Sequence, residues 1–209
     1  MIMCSYKKIA ITNREIFQKY HPGANSEEYA GYIRRLAEKL DYIILREKDL
    51  TEAEYEKFAR LVLDGWKETQ EKLILHTYIG VARRLGHLRI HLPMPEFVRW
   101  QKDLDDFAEK GVSTHSLDDA LYAQEHGADY ITASHIFATD CKRGLEPRGL
   151  DFLHEICEKV TIPVYALGGI HAANEASVIQ AGAAGACRMS DYLKEMKVDG
   201  QRNLLGHID

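Results

Sequence analysis

The chain has 209 residues, enough for one sizeable hydrophobic core and short for two ordinary domains. Its 45% apolar and 28% charged residues suit a globular domain. A formal net charge of −5 argues against a nucleic-acid-binding face, though it leaves room for one small anion held by local cations.

Short apolar runs alternate with amphipathic stretches along the whole chain. "MIMCSYKKIAITN" is interrupted by Lys7 and Lys8 and lacks the apolar core of a secretory leader, and its "KKIAIT" reads as a first strand. Asn25-Ser26-Glu27-Glu28 then opens a helix like an N-cap, with Tyr29, Ile33, Leu36 and Leu40 at helical spacing. "DYIILREK" is the second strand, and Thr51-Glu52-Ala53-Glu54 opens a helix carrying Tyr55, Phe58 and Val62 on one face. "KLILHT" and "HLRIHL" follow as strands three and four, separated by the short "YIGVARRLG". "GVSTHS" is strand five, and Ser116-Leu117-Asp118-Asp119 starts a helix that stops at His126-Gly127. "ADYITASHIF" is strand six, and Leu150, Leu153, Ile156 and Val160 mark the next helix. "IPVYALGG" is strand seven, Asn174 caps a helix running through Val178 and Ile179 to Gly182, and "AAGACRMS" is strand eight. "DYLKEMK" is the last helical pattern before a polar tail.

Strands that alternate with helices imply parallel pairing and right-handed crossovers. Eight such units predict an α/β fold, a (β/α)8 TIM barrel forming a single domain over residues 1–209. An open doubly wound sheet is the alternative, but no GxGxxG or GxxxxGK follows the first strand. No run approaches the roughly 18 apolar residues of a membrane span, so no membrane partner is expected. Cys4, Cys141, Cys157 and Cys187 show no CxxC spacing and read as reduced thiols of a cytoplasmic protein.

In such barrels the chemistry sits at the C-terminal ends of the strands, where loops vary without breaking the core. Strand two ends with Arg46 and Lys48, two apart and therefore on one side. His76, His91, Ser113 with His115, and His135 end strands three to six in turn. Any one of these histidines can equally be a hydrogen-bonded loop residue, and His115, beside an N-cap serine, can simply close a turn. Histidines gathered at a barrel mouth can also hold zinc, but no compact HxH or HExxH occurs, and no metal is expected. Gly168 and Gly169 after strand seven, and Arg188 to Asp191 after strand eight, fall where this fold binds phosphate through exposed amides. A tight turn is the other reading of the two glycines. A histidine suits proton transfer near neutral pH. No serine elbow appears and Cys141 has no activating neighbour, so covalent catalysis is not indicated.

The segments "AITN", "DYIILREK", "GVSTHSLDDAL", "GADYITASHIFATDCKRGLEPRGLDFL", "IPVYALGGI" and "AGAAGACRMS" resemble the thiamine phosphate synthase and TenI family over nearly the whole chain. "HIFATDCKRGLEPRG" looks like the TenI branch, the thiazole tautomerases, which carry a histidine at the position of His135. The chain departs from the synthase pattern at His76-Thr77 and in "HLPMPEF", where the synthase carries magnesium-binding aspartates. The resemblance therefore implies an isomerase that aromatises a small phosphorylated 2-carboxy-thiazole with no cofactor. It implies His135 as the catalyst. Arg46, Lys48 and Lys142 would meet the carboxylate or ring end, with Lys142 equally readable as a solvated loop residue. Gly168, Gly169, Met189 and Ser190 would hold the phosphate largely through backbone amides. A homodimer is the partner state the family suggests. The synthase reaction and a non-catalytic ligand-binding regulator are the alternatives.

Overall fold

A computed structural model describes residues 6–64, 66, 70–139, 142 and 144–195. Eight parallel strands close into a barrel in sequential order, as the alternation predicts. They are β1 (Lys7–Ile11), β2 (Tyr42–Leu45), β3 (Leu73–His76), β4 (Arg89–Pro93), β5 (Glu109–Thr114), β6 (Tyr130–Ser134), β7 (Val164–Leu167) and β8 (Gly185–Arg188). Around them lie α1 (Arg14–Tyr20), α2 (Ser26–Lys39), α3 (Glu52–Asp64), α4 (Ile79–Leu85), α5 (Met94–Trp100), α6 (Leu117–Glu125), α7 (Gly149–Lys159), α8 (Glu175–Gln180) and α9 (Ser190–Glu195). The expected single domain over 1–209 extends beyond the described residues, as do Cys4, Cys141 and the end of "DYLKEMK". Among the described residues no helix is long and apolar enough to cross a membrane.

The helix starts follow the local chemistry. Asn25 and Glu28 form a reciprocal capping box at 2.8 and 3.0 Å, and the Ser116 hydroxyl accepts the Asp119 amide at 3.0 Å. Asn174 departs from its expected role. Its side chain caps nothing in α8; it accepts the His171 amide at 2.8 Å and donates to the Gly169 carbonyl at 2.9 Å. It therefore braces the loop after β7. Helix α1 escapes the sequence reading because its seven residues bury a single side chain, Phe17, too little for a visible period.

The two-residue pleat divides the apolar side chains into two cores. Ile9, Ile11, Ile44, Ile74, Tyr130, Tyr165 and Cys187 fill the barrel interior. Their strand neighbours, such as Ala10, Ile43, Leu45, Leu73, Leu75, Ile131 and Ala186, pack outward against the helices. The interior has room for Tyr130 only because Gly111 faces it from β5: a Cβ there would lie 2.0 Å from the ring. Replacing Gly111 with Ala should lower the unfolding free energy by about 3 kcal/mol, the upper end of ordinary overpacking. A urea transition shifted to lower midpoint at constant slope is the expected observation.

Candidate active site

Strand alternation assigns the polar residues at the C-terminal rim. Arg46 and Lys48 continue the inward side of Ile44, whereas Glu47 continues the outward side of Leu45. His76 follows Ile74 inward, and His91 lies inward between the outward Ile90 and Leu92. These side chains meet in a cavity of about 490 Å³ at the barrel mouth. All eight candidate residues line it: His135, Arg46, Lys48, Lys142, Gly168, Gly169, Met189 and Ser190. Apolar atoms of Ile11, Ile44, Leu167 and Cys187 contribute to its walls.

One side of the mouth is cationic. The Lys48 ammonium is held below its ordinary pKa, first by the Arg46 guanidinium, then by burial and by Lys142. Lys142 is lowered as well, by burial and then by Arg148. The loop after β6 thus carries Lys142 toward the end of β2, and repulsion among like charges makes an anion welcome there.

Beneath the cations lie two neutral imidazoles, His76 and His91, with ring centroids 5.7 Å apart. His91 is buried and satisfied at both nitrogens, by Tyr130 Oη at 3.0 Å and Ser113 Oγ at 2.8 Å. Burial and then Arg46 push it down to about 3. His76 is likewise well below its ordinary value through burial, then His91, Arg46 and Lys48. Its Nδ1 meets Thr77 Oγ1 at 2.6 Å, and the Tyr55 hydroxyl accepts its backbone amide at 2.9 Å. His115 stands apart from the cavity lining. Its Nδ1 engages the Ser134 hydroxyl and carbonyl at 3.0 and 3.2 Å, and Asp119 accepts its amide, so it closes the turn into α6.

His135 is the first residue beyond β6, buried and on the cavity wall. Its Nε2 lies 3.4 Å from the Leu145 carbonyl, and its own carbonyl accepts the Arg148 amide at 2.9 Å. The two glycines after β7 make this position accessible. Gly168 has φ +105° and a Cβ there would come within 2.4 Å of the His135 Cβ; Gly169 has φ +65° and a Cβ would meet the Ala138 carbonyl at 2.4 Å. The glycines are therefore needed first for the close passage of the His135 segment. That segment anchors the Leu167 and Gly168 carbonyls through the Ile136 and Phe137 amides, both at 3.0 Å. In planar trans peptides the Gly168 and Gly169 N–H groups then turn away from the loop. Arg188 takes no part in the lining: it points outward from β8 and is bonded to Glu175 at 3.1 Å and to Asp191.

Ser134, His171 and Glu47 belong to the neighbourhood of the site but escape the sequence reading. Ser134 and His171 line the cavity. Strand parity from Tyr130 would have found Ser134; nothing local marks His171. Glu47 is an acid within an apolar strand end, a signal in itself. Among the described residues no group of three or more His, Cys, Asp or Glu is arranged to hold a metal ion. Asp191 is the sole described carboxylate on the cavity wall, and Arg188 already engages it. This donor set does not fit a magnesium ion, which takes several oxygen ligands.

A closed eight-stranded parallel barrel with a polar cavity at its C-terminal mouth defines the class as a (β/α)8 barrel. The family model described as TMP-TENI, thiamine monophosphate synthase, matches residues 16–192, and the chain belongs to that family. A thiamine-phosphate synthase from Shouchella clausii is 32% identical over 197 residues, covering 91% of this chain and 90% of the relative. One from Clostridium novyi is 33% identical over 169 residues, covering 78% and 82%. Among solved structures, a thiamine phosphate pyrophosphorylase from Pyrococcus furiosus superposes with a TM-score of 0.69 at 25% identity, covering 92% of this chain and 90% of its own.

The buried imidazole of His91 carries a stability signature. Its folded pKa, about 3, lies below the roughly 6.5 of the unfolded chain. Between those values the unfolded chain binds a proton that the native protein refuses, so this contribution is lost as pH falls. The stability gap between the protein and its His91→Asn variant should narrow by about 3 kcal/mol between pH 7 and pH 4. Denaturant titrations of both proteins at each pH measure it.

Proposed function

We propose that the protein is a thiazole tautomerase of thiamine biosynthesis, with His135 as its proton-transfer group. The substrate is a 2-carboxy-thiazole phosphate bearing an exocyclic double bond, and the product is its aromatic tautomer. The imidazole takes the proton from ring C2, and the C–H electron pair becomes a ring C=N bond. The remaining double bonds shift, and the exocyclic carbon takes up a proton. Atoms and electrons balance without a redox partner. Aromatisation drives the change, so the protein needs to orient the ring and supply an acid and a base.

The observation that carries this reading is the sharing of one cavity by His135, a cationic rim and a glycine-rich turn. Arg46, Lys48 and Lys142 meet the carboxylate end of the ring. The backbone amides of Gly168, Gly169, Met189 and Ser190 meet the phosphate. Ile11, Ile44 and Leu167 offer apolar contact to the ring between them. His76 and His91, kept neutral by burial, add no positive charge to the floor.

Synthesis of thiamine phosphate by displacement of pyrophosphate is the second reading, and the names of the relatives favour it. Against it stand Thr77 and the Pro93–Glu96 stretch, which take the places of the metal-binding acids that the resemblance leads one to expect. A pyrophosphate transfer without a bound cation would lack the main neutraliser of its developing charge.

Two assays separate the readings. Aromatisation of the dihydrothiazole phosphate, followed by absorbance, should slow by ~10²–10⁴-fold in His135→Asn with little change in KM. An unchanged rate removes His135 from the mechanism. Formation of thiamine phosphate from pyrimidine pyrophosphate, thiazole phosphate and magnesium would establish the transferase instead.

A further inference from the structure

Glu47 stands between Arg46 and Lys48 in sequence but on the opposite face of the strand end, and it is only 2% exposed. Its carboxylate accepts three hydrogen bonds from three separate elements. Thr12 Oγ1, just past β1, donates at 2.6 Å; the Arg14 backbone amide, opening α1, donates at 2.6 Å; and Tyr29 Oη, from α2, donates at 2.9 Å. Thr12 Oγ1 in turn accepts the backbone amide of Arg46 at 2.9 Å. A continuous chain of hydrogen bonds therefore runs from the buried acid to the residue that begins the cationic rim.

The chemistry of this clamp is unusual for a purely structural contact. All three donors are neutral groups, while the Arg14 guanidinium turns to Asp49, with Nε 2.9 Å from its Oδ2. A buried carboxylate held by neutral donors alone is costly to ionise. Burial does push the carboxyl up to about 7, against the lowering by its hydrogen bonds. What the carboxylate does offer is acceptor capacity at both oxygens, which lets one side chain tie down β1, α1, α2 and, through Thr12, β2. Perturbed acids of this kind cluster at functional sites.

We propose that Glu47 is a positioning residue of the anion-binding rim, clamping the end of β2 to the turn after β1 so that Arg46 and Lys48 aim into the cavity. The inference rests on the reading of those two cations as ligands of the substrate's carboxylate, and the test keeps the two ideas apart. Binding of the aromatic 2-carboxy-thiazole phosphate is measured by calorimetry, alongside tautomer turnover and thermal unfolding. The proteins compared are the unaltered chain, Glu47→Gln, Arg46→Ala and the double variant.

In Glu47→Gln the Kd and KM should rise about tenfold while kcat stays within about twofold. The melting temperature at pH 8 should hold or rise, because an ionised buried acid has been removed. Arg46→Ala should also weaken binding, and adding Glu47→Gln to it should cost less than it does in the unaltered chain, since only Lys48 is then left to aim. Thr12→Val, which removes the link to the Arg46 amide, should reproduce the Glu47→Gln signature even if that variant folds poorly. Should Arg46→Ala bind normally, the cationic-rim reading falls and the clamp with it. Should Arg46→Ala weaken binding while Glu47→Gln and Thr12→Val leave it unchanged, or add to it independently, the clamp alone is overturned. A parallel fall in melting temperature, kcat and affinity in both clamp variants would make Glu47 structural and overturn the proposal.

Discussion

In a closed parallel barrel every strand side chain has one of two destinations, the interior or the layer beneath the helices. The site of this protein depends on that division holding to the last residue of each strand. Along β2 it sends Ile44 inward and Leu45 outward, and continuing it sends Arg46 and Lys48 into the mouth while burying Glu47 behind them. A slip of one residue would exchange the sets, placing an acid in the cavity and two cations against the apolar layer under α2 and α3. Register between β1 and β2, pairing Ile9 with Tyr42 and Ile11 with Ile44, therefore decides which side chains line the cavity.

The mouth concentrates charge of one sign where the interior below it is neutral. Lys48 is lowered by Arg46, burial and Lys142, and Lys142 by burial and Arg148, so a bound anion would relieve repulsion at the rim. The imidazoles underneath are kept uncharged by burial and by the same cations, with Tyr130 and Ser113 fixing His91 at both ring nitrogens. The apolar layer between strands and helices offsets the cost of this arrangement. It is dense with side chains such as Phe17, Tyr29, Tyr32, Phe58 and Phe97 that are almost wholly removed from water.

Family membership and chemistry rest on different residues here. The match to the thiamine monophosphate synthase family runs over residues 16–192, nearly the whole described barrel, and the Pyrococcus furiosus structure shares that fold. The proposed reaction would depend on a few positions at the strand ends, where the chain carries His76-Thr77, Pro93 to Glu96 and His135. A fold of this kind supports several reactions on one scaffold by exchanging such positions, so the site decides between them.

Much of this was legible in the chain itself. Alternating apolar runs and capped amphipathic stretches determined eight parallel units, because each element had to bury one face and only parallel strands with crossover helices do so in that order. The spacing of Arg46 and Lys48 determined that they share a side, since the pleat repeats every two residues. The particular position of His135 did not follow from periodicity. Tyr130 and Thr132 set a parity that would turn residue 135 outward, yet the strand ends at Ser134 and the next residue lies on the cavity wall, directly over Gly168. The partners of Glu47 and the loop-bracing role of Asn174 were equally out of reach, because their contacts join residues distant in sequence or replace the local cap the pattern suggests. Local chemistry determined the elements and the sides they present; only the closed barrel, by forcing distant loops to cross at one mouth, decided which groups meet there.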